Sequence, residues 1–184
     1  MKIKDQGYDT SILLLAVVLT CLGVVMVYSS SSIMAAKRYS DGFFFLKRQG
    51  LFAAAGLLVM FIFMHIDYHK LRPLAVPFLL GCIVLLVAVL IPGIGSSAGG
   101  ASRWIRLGGV NIQPAEVAKL GLILYMAHSL TKKRDKIKSF KLGFIPYMVV
   151  LAVLLVLVLM QPDLGSALTL GIVAMAMLLV AGTR

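Results

Sequence analysis

The sequence predicts an all-α fold: a polytopic integral membrane helix bundle with about six transmembrane helices and a cytoplasmic N-terminus. Three observations predict it. Of the 184 residues, 60% are hydrophobic and only 14% are charged, with a mean hydropathy of +0.99; a soluble core of this size cannot hide so much apolar surface from water. The apolar residues fall into runs close to the roughly 20 residues that a helix needs to cross a hydrocarbon core about 30 Å thick. The 18 Lys and Arg sit in short tracts between those runs. That is the pattern of membrane topology rather than of a phosphate-binding groove, so a net charge of +11 does not point to nucleic acid.

The spans read as Ser11 to Ser30, Gly50 to Ile66, Leu74 to Ile91, Pro114 to Leu130, Leu142 to Met160 and Leu164 to Ala181. Before the first, "YDTS" offers Asp9, Thr10 or Ser11 as N-cap. Its apolar run is too long, and lacks a clear small-residue cleavage site, for a signal peptide. After the second comes the short turn "HIDYHK". His65 and His69 there are four apart with Asp67 between them, but no further ligand is near in sequence, so no metal site is readable. The connection from Pro92 to Gln113 is rich in Gly and Ser at its start ("PGIGSSAGGAS") and is expected to be flexible there, becoming aromatic and basic at its end. Pro114 opens the fourth span, where its missing N–H costs nothing, and Glu116 follows near the positive end of the helix dipole. In "MQPDLGS", Pro162 ends the fifth span and Asp163 offers a cap for the sixth. Residues 1–184 thus read as one membrane domain with no soluble domain.

Orientation follows from the basic residues. With the N-terminus in the cytoplasm, eleven of the 18 Lys and Arg fall inside and six outside, with Lys119 within a span. The tract "KKRDKIKSFK" contributes most to this bias. The stretch "GASRWIRLGGVNIQPAEVAK" then begins on the outer face.

That stretch carries the polar residues that need a reason. Glu116 and Lys119 are three apart on one helix face, with Gln113 a turn earlier on the same side. A charge within a bilayer costs at least a few kcal/mol, so such residues face a cavity or each other. The pair reads either as a polar groove opening outward or as a structural ion pair near the interface. Arg103, Trp104 and Arg106 cluster just before it; the arginine fork suits phosphate, and indole suits the headgroup layer or a sugar face. An interfacial Trp flanked by Arg also serves as a membrane anchor. The cysteines, Cys21 and Cys82, lie in apolar runs without metal-ligand spacing and read as packing residues. Ser29 to Ser32 have no His or acid nearby in sequence to activate them. The physics reaches a membrane bundle with an outward cationic groove suited to an anionic lipid-linked substrate.

The same residues resemble the SEDS family of bacterial cell-wall proteins (shape, elongation, division and sporulation), which includes FtsW, RodA and SpoVE. "SRWIRLGGVNIQPAEVAKL" is similar to the family signature around its fourth helix, and "MQPDLGSA" to its second signature. "LGVVMVYSSSS" and "FFFLKRQ" also match in order and spacing. The wording "RWI", "LGG" and "IQPAE", with Ala115 where RodA-like members more often carry Ser, leans towards the FtsW branch.

The resemblance implies a peptidoglycan glycosyltransferase that polymerises lipid II, an undecaprenyl-pyrophosphate-linked disaccharide-pentapeptide, outside the bacterial cytoplasmic membrane during cell division. It implies a class B penicillin-binding protein as transpeptidase partner, other division-complex membrane proteins, and membrane lipid around the helices. Trp104, Glu116 and Lys119 match family positions linked to activity and to an outward cavity. Arg103, Gln113 and Pro114 belong to the same signature, and Gln161, Pro162 and Asp163 to the second, where capping or packing is the expected role of Asp163. The chain resembles the N-terminal half of the family. The aspartate credited there with the general-base role lies in a later outer loop, so no catalytic residue is assigned here and the isolated chain is expected not to polymerise lipid II. A divalent cation is compatible with the chemistry, but no metal site is readable. The rival readings are a lipid II flippase or carrier, which a polar outward groove would also suit, and a non-catalytic division scaffold.

Overall fold

The structure, a computed structural model, describes residues 9–98, 101–107, 110–132 and 139–182. Lys2, Lys4, residues 133–138 of the basic tract and Arg184, which entered the orientation argument, lie outside the described residues. The described chain forms two compact units that divide between Asp67 and Tyr68.

The first unit is a helical hairpin of α1 (Thr10–Tyr39) and α2 (Phe44–Met64). Of the three candidate caps, Asp9 starts α1, its Oδ1 accepting from the N–H of Ser11 at 3.0 Å and of Ile12 at 3.3 Å. α1 runs nine residues beyond the predicted Ser30, because the serines after Tyr28 do not break it. The Ser30 hydroxyl, for one, bonds back to the Val27 carbonyl at 3.3 Å, and Lys37 and Arg38 in the last turn suit the negative end of the dipole. Ser40 in the left-handed region (φ 54°) ends the helix. Asp41 then makes the turn, its Oδ1 accepting from Phe43 N–H at 2.9 Å and its Oδ2 meeting Lys47 Nζ at 2.8 Å. α2 therefore begins at Phe44 rather than Gly50, and Lys37, Arg38, Lys47 and Arg48 belong to helix ends instead of a loop.

The second unit opens with a short 3-10 turn, Tyr68–Leu71, and contains α3 (Ala75–Leu90), α4 (Pro114–Lys132), α5 (Ile145–Leu159) and α6 (Leu164–Ala181). A π-helical turn, Phe140–Phe144, leads into α5 and precedes Pro146, whose absent N–H falls in the first turn of the helix. α4 packs on α3 and α6, and α5 on α6. Buried residues recur at spacings of three and four, as in Leu79, Cys82 and Leu86 of α3 or Tyr147, Leu151, Leu154 and Val158 of α5. Ala115, Ala118 and Gly121 give α4 a stripe of small residues. A methyl group at Gly121 would stand 2.8 Å from Cys82 Sγ, so α3 and α4 approach closely there. Cys82 is a buried packing residue. The buried hydroxyls of Ser129 and Tyr147 satisfy one another at 3.1 Å.

By length and composition, α1, α2 and α6 can each cross a membrane, while α3 and α5 are shorter apolar helices. The chain is an all-α, multi-pass membrane protein.

One expectation is corrected. The start of the Pro92 to Gln113 connection is not a flexible loop: with its end it forms a three-stranded antiparallel sheet of β1 (Gly95–Ala98), β2 (Ala101–Leu107) and β3 (Val110–Ile112), in the order β1-β2-β3. Gly95 is a packing glycine, since a Cβ there would lie 2.2 Å from the Val89 carbonyl oxygen and 3.2 Å from Ser102 Cβ. The sheet is thereby seated on the end of α3.

Candidate functional site

β2 carries Arg103 and Trp104. Its register with β1 pairs Ser96 with Trp104 and Ser97 with Ser102, a β-bulge that leaves Arg103 as the extra residue. Bulges redirect side chains, and Arg103 reaches the corner between α5 and α6. Its Nε donates to the Gln161 carbonyl at 3.0 Å, and its Nη2 donates to the Pro162 carbonyl. These carbonyls belong to the turn just beyond the Met160 C-cap of α5, near the negative end of that helix's dipole, where a cation is favoured. Two of the five guanidinium donors are engaged in this way.

The same corner holds Asp163. It caps α6, its Oδ1 accepting from Ser166 N–H at 3.1 Å and its Oδ2 from the Ser166 hydroxyl at 2.8 Å. Gln113, the residue before α4, donates from Nε2 to Asp163 Oδ2 at 2.8 Å. Burial pushes the Asp163 carboxyl up, but the two Ser166 bonds, the Arg103 charge and the Gln113 bond together outweigh it and hold the group below the ordinary carboxylate value. A carboxylate that accepts three such bonds is a weak base and a firm anchor. Gln161 is buried behind it and donates from Nε2 to the Leu86 carbonyl of α3 at 3.3 Å.

Glu116 and Lys119 pair with each other on the first two turns of α4 at 2.7 Å, with the Lys side chain 22% exposed and the Glu 57%. Trp104 is half-buried, and its carbonyl accepts from Ser96 Oγ at 3.3 Å. Arg106, paired with Asn111 of β3, is exposed.

Of the residues singled out in the sequence, Arg103, Gln113, Gln161, Pro162 and Asp163 form one hydrogen-bonded junction at the sheet end of the second unit. Trp104 and the Glu116–Lys119 pair flank it on β2 and α4. Sequence reasoning missed Ser166 and the Leu86 carbonyl. Ser166, three residues after Asp163, was available as the partner of a capping Asp; the Leu86 contact, 75 residues from Gln161, had no local signal.

The model of the cell cycle proteins FtsW, RodA and SpoVE matches residues 9–184. The chain belongs to this family. It is 62% identical over 97% of its length to the probable peptidoglycan glycosyltransferase FtsW of Geobacter metallireducens, covering 48% of that protein. Among solved structures, the rod shape determining protein RodA of Thermus thermophilus matches 98% of the chain with a TM-score of 0.79 and 28% identity, 56% of RodA being covered. A peptidoglycan synthase complex, described as coordinating polymerization and crosslinking, contains a chain that matches 96% of this one with a TM-score of 0.77 and 29% identity, 48% of that chain being covered. The chain therefore spans about half the length of the relatives it matches. Both stretches that resemble the family signatures meet at the junction of Arg103 and Asp163.

Proposed function

We propose that this chain is the N-terminal half of a peptidoglycan glycosyltransferase of the bacterial cytoplasmic membrane, which polymerises lipid II on the outer face during cell division beside a class B penicillin-binding protein. The observation that carries the reading is the junction itself. Arg103 and Gln113 tie the sheet and the start of α4 to the α5–α6 corner, joining two stretches that are 58 residues apart at the Arg103 to Gln161 bond. In this reading Arg103, Gln113, Gln161, Pro162 and Asp163 are positioning residues. They hold Trp104, Glu116 and Lys119 at the edge of an outward polar cavity, where indole meets a sugar or prenyl surface and the Lys119 ammonium meets pyrophosphate, the leaving group of glycosyl transfer. Asp163, held ionised by three donors, does not serve as general base; that carboxylate belongs to the part of the family enzyme corresponding to its later outer loop. The likeness to a chain from a synthase complex that couples polymerization to crosslinking supports the transpeptidase partner.

The test is a chimera in which this chain replaces the matching segment of the Geobacter metallireducens relative, assayed for glycan strands from lipid II in proteoliposomes. Polymer is expected, with Trp104→Ala, Glu116→Ala or Lys119→Ala each lowering the rate at least about tenfold, the equivalent of about 1.4 kcal/mol of lost transition-state binding. A chimera that moves labelled lipid II across the bilayer without making polymer would instead be a carrier. Polymerisation indifferent to all three substitutions would remove them from the site.

A further inference from the structure

A second polar feature lies at the opposite end of the second unit. Between the 3-10 turn before α3 and the C-terminal half of α4 there is a cavity of about 170 Å³. The turn and the residue after it contribute Tyr68, Leu71 and Arg72, and α4 contributes Leu124, Ala127, His128 and Thr131. Tyr68, Arg72, Ala127 and Thr131 are exposed, so the cavity opens to the surface. His128 is 15 residues along the chain from Gln113, which places it about 22 Å along α4 from the Arg103 junction.

The cavity has two chemical halves. Arg72 is a fixed cation whose guanidinium lies over the Tyr68 ring at 5.8 Å, a contact that restricts where its donors sit. His128 adds an imidazole N–H, and both residues line the same opening. Leu71, Leu124 and Ala127 give the rest an apolar wall. Thr131 is less available, since its hydroxyl is already bound to the Ala127 carbonyl at 2.6 Å. A Tyr beside an Arg at a helix end is the composition of the headgroup layer. Lys132 follows in the last turn of α4.

We propose that this cavity is a binding site for one anionic glycerophospholipid, with its phosphate on Arg72 and His128 and an acyl chain along Leu71, Leu124 and Ala127. A free phosphate would satisfy the polar half and leave the apolar wall facing water. A zwitterionic lipid would bring its own cation against Arg72. The proposal stands apart from the reading of the Arg103 junction.

The experiment is native mass spectrometry of the chain released from micelles doped with phosphatidylglycerol or phosphatidylcholine, with inorganic phosphate as a third arm. One phosphatidylglycerol is expected to stay bound where phosphatidylcholine and phosphate do not. The double variant Arg72→Gln/His128→Gln should retain it roughly tenfold less well, and Ala127→Trp, which fills the opening while keeping both polar groups, should displace it. Lys132→Gln/Lys133→Gln should leave it in place. Equal retention of phosphatidylcholine, adduction of phosphate instead, or loss in the Lys variant but not in the Arg72/His128 variant would overturn the site. Should the double variant fail to fold, the Ala127→Trp result decides by itself.

Discussion

In the hairpin of residues 9–67, α1 with 30 residues and α2 with 21 bury a single side chain between them, that of Ala35. In the unit of residues 68–182, the 16-residue α3 alone buries Ala75, Leu79, Cys82, Leu86 and Val89. The sequences are apolar in both, so hydrophobicity does not make the difference; in a bilayer an exposed Leu is as well solvated as a buried one. Small residues occur in both, Ala53–Gly56 of α2 among them, but in the second unit they sit at close approaches such as Gly121 on Cys82, and polar side chains there bind main-chain groups across elements, as Arg103 and Gln161 do. The hairpin is joined by its turn, with Asp41 and stacked aromatic rings such as Tyr39 on Phe44 at 4.1 Å.

The largest expected effect is at glycines, and it contrasts the units directly. Gly95→Ala puts a methyl 2.2 Å from a backbone oxygen that cannot swing away, so the sheet must lift from α3; about 3 kcal/mol or more of stability should be lost. Gly56→Ala in α2 meets nothing within 4 Å and should be neutral or stabilising by up to about 1 kcal/mol, from helix propensity alone. Thermal unfolding of both variants in one detergent measures the difference. A Gly95→Ala protein as stable as the wild type would mean that the sheet is not seated on α3.

The same glycine shows where the sequence was legible. Six helices were readable because length and apolarity are local properties, and the caps at Asp9 and Asp163 because capping is local too. The sheet was legible in principle: β1 and β2 are separated by Gly99–Gly100, and β2 and β3 by Gly108–Gly109, and two-residue Gly-Gly connections between short extended runs signal hairpins. These dipeptides lie outside the described residues, and in sequence the first of them reads as flexibility. The junction was not legible in the same way. "RWIR" suggested a phosphate-binding arginine, but nothing local says that a bulge turns Arg103 onto carbonyls 58 and 59 residues away. Which face of α3 is buried was equally hidden, because its buried Leu79 and Leu86 and its exposed Val76, Leu80 and Val84 are all apolar.

A smaller effect tests the polar half of the contrast. Arg103→Ala removes two charge-assisted bonds and leaves the Gln161 and Pro162 carbonyls of the α5–α6 turn without that donor; a loss of about 2 kcal/mol is expected. Arg103→Lys should recover less than half of it, since an ammonium on a flexible stem does not present two coplanar donors. In the hairpin, Lys47→Ala breaks a 2.8 Å pair whose Lys side chain is 72% exposed, and no measurable change in Tm is expected. Full recovery by Lys would reduce the junction to simple charge.

Acid separates the two anchoring carboxylates by the smallest margin. The hydrogen bond from Lys47 and the Phe43 N–H hold Asp41 below the ordinary value of 3.8. At Asp163 burial opposes ionisation, and the Ser166 bonds, Arg103 and Gln113 overcome it. Both folded-state values are depressed, so each contribution to stability is complete above the unfolded value, at about pH 5 and higher, and is lost as pH falls through the folded value. Wild-type protein should therefore lose more stability than Asp163→Asn as the pH drops below about 4, although Asn can still cap α6. Added salt should erase the Asp41 share, which lies in a solvated turn, and spare that of Asp163, which is only 7% exposed. An acid limb that is unchanged in Asp163→Asn, or that vanishes entirely in salt, would make the α5–α6 corner no more of an anchor than the hairpin turn.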